Sequence, residues 1–156
     1  MELKVKLTDG AQLPKHAKSG DAGLDLTSRM TVNLQPGETQ MVGTGLAAEI
    51  PEGFFGLIAP RSGLASKYGI TLANTPSVID SGYRGEIKLA LHNIGKKGYT
   101  VHRDERVAQM VVIPYATCDC VEVDELTETE RGGTGFGSSG TAEVIGAGSQ
   151  AEGDRL

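Results

Sequence analysis

The sequence predicts an all-β protein, a barrel or sandwich of short strands. Apolar residues recur with period two in one segment after another, Gly and Pro turns separate those segments, and a single stretch has helical character. Leu3, Val5 and Leu7 alternate with Lys4 and Lys6, as on a half-buried strand. Residues 30–34 are extended and end at the turn of Gln35, Pro36 and Gly37. Residues 39–50 make a second, longer extended region closed by Pro51, Glu52 and Gly53, and 54–59 a short apolar strand. Ile87, Leu89 and Leu91 alternate with Lys88, Ala90 and His92. Residues 106–115 are the longest buried-strand candidate, centred on Val111, Val112 and Ile113, and Val121 and Val123 continue the pattern. The helix is expected over residues 62–68, with Ser62 as N-cap and Gly69 as its stop.

A chain of 156 residues is long enough for one domain with a real core. With no Trp, three Phe and four Tyr, that core must be mostly Val, Ile, Leu and Ala. The net charge of −5 argues against a nucleic-acid-binding or anionic-membrane surface. No apolar run approaches the roughly 20 residues of a membrane helix, and the N-terminus alternates like a strand and not like a signal peptide. A cytoplasmic protein is expected. Cys118 and Cys120 would share one strand face, too awkwardly placed to bridge each other, as reduced and partly buried thiols. His16, His92 and His102 lack metal-ligand spacing, so no zinc site is expected.

Five segments carry chemistry. Residues 131–140 hold five glycines in ten positions, with Arg131, Phe136, Ser138 and Ser139 among them. Such a segment builds no core; its amides, hydroxyls and guanidinium suit phosphate oxygens and its ring suits a flat base. Residues 60–63 place Arg61, Ser62 and Gly63 at a helix start, where free N–H groups favour anions. Residues 74–86 read as a β-hairpin turning near Ser81 and Gly82. Its backbone can meet a pyrimidine edge, with Asn74 adding a donor and an acceptor, Asp80 poised as a general base and Tyr83 against a sugar. Asp25 opens a strand within residues 21–28, and Arg106 and Gln109 open the long strand. Taken singly, each segment also fits an ordinary turn, cap or surface ion pair.

Together, and in chain order as residues 21–28, 60–69, 74–86, 105–109 and 131–140, the five segments resemble the motifs of homotrimeric deoxyuridine triphosphatases (dUTPases), over nearly all of the chain except its last sixteen residues. The resemblance implies a jelly-roll-like β-barrel of the dUTPase β-clip type. It divides the matched chain into a barrel domain over 1–130 and a mobile active-site arm over 131–140; the tail over 141–156, with small and acidic residues and no periodicity, is expected to be disordered. It implies hydrolysis of dUTP to dUMP and pyrophosphate with Mg²⁺, at three active sites shared between subunits. Asp80 is similar to the family's catalytic carboxylate. Asn74 and the backbone around Val78, Ile79 and Lys88 would read uracil, and Tyr83 would lie under the deoxyribose. Arg61, Ser62, Gly63 and Gln109 would hold phosphates, Arg131, Phe136, Gly137 and Ser138 would act from the arm, and Arg106 would support them. Asp25 would meet the metal through water and make internal polar contacts.

Ser77 stands where the family usually has Gly, and Gly82 where it often has Asp, departures that bear on the backbone of the pyrimidine pocket and on the loop of Tyr83. Two other readings stay open on sequence alone. One is a dCTP deaminase-like enzyme of the same superfamily; the other is a non-catalytic trimer that binds nucleotide as a sensor.

Overall fold

A computed structural model of the protein describes residues 1–8 and 10–133. Its first compact unit, Met1–Cys118, contains every helix and strand described. The strands are β1 (Lys4–Leu7), β2 (Leu24–Thr27), β3 (Val32–Leu34), β4 (Thr39–Gly43), β5 (Leu46–Glu49), β6 (Phe54–Pro60), β7 (Ile70–Leu72), β8 (Ser77–Ile79), β9 (Lys88–Asn93), β10 (Tyr99–Val101) and β11 (Arg106–Pro114). The helix α1 (Ser62–Tyr68) lies between β6 and β7. They form a four-stranded sheet in the order β2-β11-β6-β8, a three-stranded sheet β4-β9-β7, and the pairs β1-β5 and β10-β3. Among the described residues this is the β-rich architecture with one short helix that the sequence predicts.

The core is aliphatic, as the composition requires. Leu26, Leu34, Val42, Ile58, Leu91 and Val107 are buried, and Met110 is the one buried residue of the cluster that is not Val, Ile, Leu or Ala. On β9 the predicted alternation holds: Leu89 and Leu91 are buried and Lys88 exposed.

Several elements differ from expectation. The 39–50 region is two strands, because Thr44 and Gly45 break it. Gly45 takes φ +69, and a Cβ there would stand 2.5 Å from Thr8 Oγ1, so only glycine passes. The chain thereby moves from the sheet of β9 to that of β1. The helix starts with Arg61 as its N-cap, and no side chain caps it, so Ser62 is the first helical residue and not the cap. Gly69 ends it as expected, left-handed at φ 71, with its N–H on Ala65 and Leu64 carbonyls.

The 74–86 hairpin is not a two-stranded ladder. β8 pairs with β6, whereas β9 pairs with β4 and β7. The second arm is drawn away by the 44–46 segment. Gly45 N donates to Glu86 Oε1 at 2.8 Å, Ile87 N to the Leu46 carbonyl at 2.7 Å, and Thr44 Oγ1 to the Ile87 carbonyl at 2.6 Å. The strand pattern also stops before Val121 and Val123, which are exposed, and Cys118 and Cys120 are exposed and not partly buried. β11 ends at Pro114, and the Tyr115 N–H donates to the Gly53 carbonyl at 3.0 Å just beyond it.

The second unit, Asp119–Leu156, is described over residues 119–133, which are exposed and contain neither helix nor strand. They include one turn, where Gly132 N donates to the Thr129 carbonyl at 3.0 Å. Residues 134–140 of the arm and the tail 141–156 lie outside the described residues, and with them Phe136, Gly137 and Ser138.

Asn93, fully buried at the end of β9, closes the turn that follows. Its Nδ2 donates to the Leu34 and Lys97 carbonyls, both at 2.9 Å, and its Oδ1 accepts from Gly95 N at 2.8 Å. Asn93→Leu strands three buried or half-buried backbone groups and is expected to cost about 3 kcal/mol. Chemical denaturation measures this, and an undiminished midpoint would show that these bonds are dispensable.

Candidate active site

The register of β11 brings three of the five segments side by side. Gln109 lies opposite Asp25 of β2 on one flank and opposite Ala59 of β6 on the other, and Ala108 lies opposite Pro60. Arg61 directly follows β6 and so emerges next to Asp25. Asp25, only 14% exposed, receives Arg61 Nε on Oδ1 at 3.2 Å and Arg106 Nη1 on Oδ2 at 3.1 Å. Arg61 Nη1 also donates to the Arg106 carbonyl at 3.2 Å. Two nitrogens of the Arg61 guanidinium are thus fixed, and Nη2 is the one that these contacts do not engage. Paired charges tolerate this burial where a lone one would not.

Asp25 and Arg61 wall a cavity of about 720 Å³ that also takes in Asp21, Gly23, Ser62, Gly63, Lys67 and Gln109. Gln109 reaches across it and donates from Nε2 to the Pro60 carbonyl at 3.3 Å. Gly23 makes room for this reach, since a Cβ there would stand 2.4 Å from Gln109 Oε1. At Gly63 nothing lies within 4 Å of where a Cβ would be, so its backbone is open to close approach. The arrangement can bind an anion through Arg61, the Ser62 hydroxyl, the backbone at Gly63 and Gln109.

Val78, Ile79, Asp80, Tyr83 and Lys88 meet in a second cavity, of about 390 Å³. β8 is the edge strand of its sheet, so the outward backbone groups of this strand have no strand partner there. Asp80 follows β8 and is exposed; its carbonyl accepts from Tyr83 N at 3.1 Å, which turns the loop. The Tyr83 hydroxyl donates to the Glu86 carbonyl at 3.0 Å. Gly85 permits this, because a Cβ would come within 2.4 Å of that hydroxyl. Ser77 Oγ donates to the Asn74 carbonyl at 2.8 Å, so the Ser77 departure adds a bond inside the loop. Gly82 has open space around its Cβ position and no positive φ, so the turn does not require glycine there.

The two cavities share no lining residue, and Asn74 lines neither. Arg106 lies on the far side of Asp25, against a separate hollow that also holds Lys15, His16 and Thr27. Arg131 is exposed in the second unit. The cavities add residues outside the sequence-derived set: Lys67, Tyr68, Tyr99 and Glu105 in the first, Met41, Glu86 and Ile87 in the second. Met41 is a large apolar side chain 60% exposed on β4, where only Val42 is buried, and nothing in the sequence pattern marks it for the site. Among the described residues no three His, Cys, Asp or Glu side chains gather as a metal cage, and no helix is long and apolar enough to cross a membrane.

Asp25→Asn keeps shape and removes the charge between two guanidiniums. Its expected cost is about 1–3 kcal/mol, read as a lower thermal midpoint that partly recovers as salt screens the arginines. A midpoint unaffected by the change would contradict the clamp.

The family model for dUTPase matches residues 9–140. The deoxyuridine 5′-triphosphate nucleotidohydrolase of Nautilia profundicola is 48% identical over 141 residues, covering 90% of this chain and 99% of that one. The enzyme of the same name from Gloeothece citriformis is 49% identical over 141 residues, covering 90% and 97%. Among solved structures, the dUTPase of Staphylococcus bacteriophage 80alpha with dUpNHpp superposes with a TM-score of 0.84 at 32% identity, over 90% of this chain and 99% of that one. A variant dUTPase of S. aureus phage phi11, described with a coordinated structural Mg(II) ion, superposes at 0.76 and 28% identity, over 82% and 100%. The matched stretch takes in every segment that lines the two cavities, and the chain belongs to the dUTPase family.

Proposed function

We propose that the protein hydrolyses dUTP to dUMP and pyrophosphate, supplying dUMP for dTTP synthesis and keeping uracil out of DNA. The observation that carries this reading is how the two cavities sort their chemistry. One collects anion donors around Arg61; the other sets an unpaired strand edge and apolar side chains beside Asp80. Relatives named for this reaction and the phage enzyme bound to dUpNHpp support the substrate.

In this reading the base docks against the backbone of Val78, Ile79 and Lys88, with Asn74 adding to its polar edge. A β-edge supplies alternating N–H and C=O groups, a pattern that uracil can match and the amino group of cytosine contradicts. Tyr83, held by its bond to the Glu86 carbonyl, lies under the deoxyribose and leaves no room for a 2′-hydroxyl. Arg61, Ser62, Gly63 and Gln109 hold the phosphates. Asp80 accepts a proton from the attacking water as its oxygen bonds to the α-phosphorus, and the α–β bridging oxygen leaves with pyrophosphate.

The donor set fits Mg²⁺ brought in by the substrate rather than caged by the protein. Around the first cavity Asp21, Asp25 and Glu105 outnumber the cations Arg61 and Lys67, so the cavity needs further positive charge to hold a triphosphate. Mg²⁺ prefers phosphate oxygens and water, so Asp25 would meet it through water. When bound, the ion would neutralise the phosphate oxygens as negative charge builds on the departing pyrophosphate. The arm residues Arg131, Phe136, Gly137 and Ser138 would add the remaining donors and the ring over the base.

The two cavities share no lining residue, and in this reading a second chain brings an anion cavity and an Asp80 cavity together. The reading therefore includes a homotrimer with active sites between subunits, acting in the cytoplasm. The test is pyrophosphate release from dUTP, dCTP, dTTP and UTP with and without Mg²⁺. Release is expected from dUTP alone and to depend on the metal. Asp80→Asn is expected to lower kcat about 10²- to 10⁴-fold with KM nearly unchanged. Full turnover by that variant would remove Asp80 from the role of base.

A further inference from the structure

The first cavity is also lined by Tyr99 and Glu105, to which the proposed chemistry gives no binding or proton-transfer role. The Tyr99 hydroxyl donates to Glu105 Oε1 at 2.5 Å, and His102 N donates to Oε2 at 2.9 Å. The carboxylate thus closes the turn between β10 and β11 from two sides. That turn resists its own shape, because Asp104 sits at φ 66, left-handed in a residue with a side chain. Backbone bonds brace it: Asp104 N to the Ser28 carbonyl at 2.7 Å, and Ser28 N to the Glu105 carbonyl at 2.9 Å. Directly after it, the pairing of β11 with β2 slips between Arg106 and Ala108. A slip of this kind re-aims the side chain at its start. Arg106 leaves this point to reach Asp25 and offers its carbonyl to Arg61.

We propose that Tyr99 is a positioning residue: its hydroxyl fixes Glu105, Glu105 fixes the turn, and the turn sets Arg106 so that Asp25 and Arg61 are held at the cavity wall. The consequence for turnover rests on the reading of Arg61 as a phosphate ligand; the geometric claim does not. Burial, and then the bond to Glu105, push the Tyr99 hydroxyl well above its ordinary value, so it stays a donor throughout the neutral range. The ring itself packs against Tyr68 at 5.0 Å between centroids, a contact that a phenylalanine keeps. The hydroxyl can therefore be removed without emptying the site.

The experiment uses the full chain carrying Tyr99→Phe, Glu105→Gln or both, with two readouts. Hydrogen exchange at Arg61 Nε–H, followed by NMR, is expected to accelerate about tenfold in Tyr99→Phe, with no further acceleration in the double variant. In parallel, kcat/KM for dUTP is expected to fall about tenfold. Unchanged exchange at Arg61 overturns the proposal whatever the rate does. If the unaltered protein releases no pyrophosphate from dUTP, the functional reading fails, and the exchange measurement still decides whether Tyr99 positions Arg61.

Discussion

One carboxylate holds three parts of this chain in register. Asp25 receives a guanidinium on each oxygen, from the end of β6 and from the start of β11, while its own strand lies against β11. A largely buried carboxylate needs such partners, because an unpaired charge there would cost several kcal/mol. The arginines are constrained in return. Arg61 would otherwise sample many rotamers; with Nε and Nη1 held, it presents one remaining edge in a fixed direction. An ordered donor of this kind does not have to be ordered again when an anion arrives, which is how preorganisation supports binding and catalysis.

The strand order also accounts for two cavities with separate linings. β11 lies between β2 and β6, so the segments of Asp25, Arg61 and Gln109 converge on one cavity. β8 lies at the far edge of the same sheet, and the chain after it crosses to another sheet, bound by Glu86 and Ile87 to the 44–46 segment. This crossing opens the second cavity next to Asp80 and leaves the edge of β8 without a strand partner. In the first cavity the carboxylates Asp21, Asp25 and Glu105 outnumber the cations Arg61 and Lys67, so in the proposed reading a polyphosphate would meet further positive charge from outside that wall.

Much of this was legible in the sequence, for identifiable reasons. Strand periodicity survives because one face of each strand is buried, as on β9, and Gly69 marks the helix end because only glycine readily takes that left-handed position. Candidate side chains were legible as types in order, and the structure gathers Arg61, Ser62, Gly63 and Gln109 in one cavity and Val78, Ile79, Asp80, Tyr83 and Lys88 in another. What could not be read was pairing over distance. Local turn signals near Ser81 and Gly82 suggested a hairpin, but contacts with residues some forty positions earlier decide where the second arm goes. Asn93 looks like an ordinary turn residue until its bond to Leu34 is seen. Cys118 and Cys120 have strand-like neighbours, yet the ladder ends before them.

The central claim is that one complete site takes its anion cavity from one chain and its Asp80 cavity from another. It is tested most directly by mixing two full-length variants, Arg61→Ala and Asp80→Asn, unfolding and refolding them together, and measuring pyrophosphate release from dUTP. Each variant alone is expected to be nearly inactive. Mixed oligomers are expected to regain a substantial share of activity, because some interfaces then pair an intact Arg61 cavity with an intact Asp80 cavity. A mixture no more active than the sum of its parts, with mixed oligomers shown to have formed, would contradict the account.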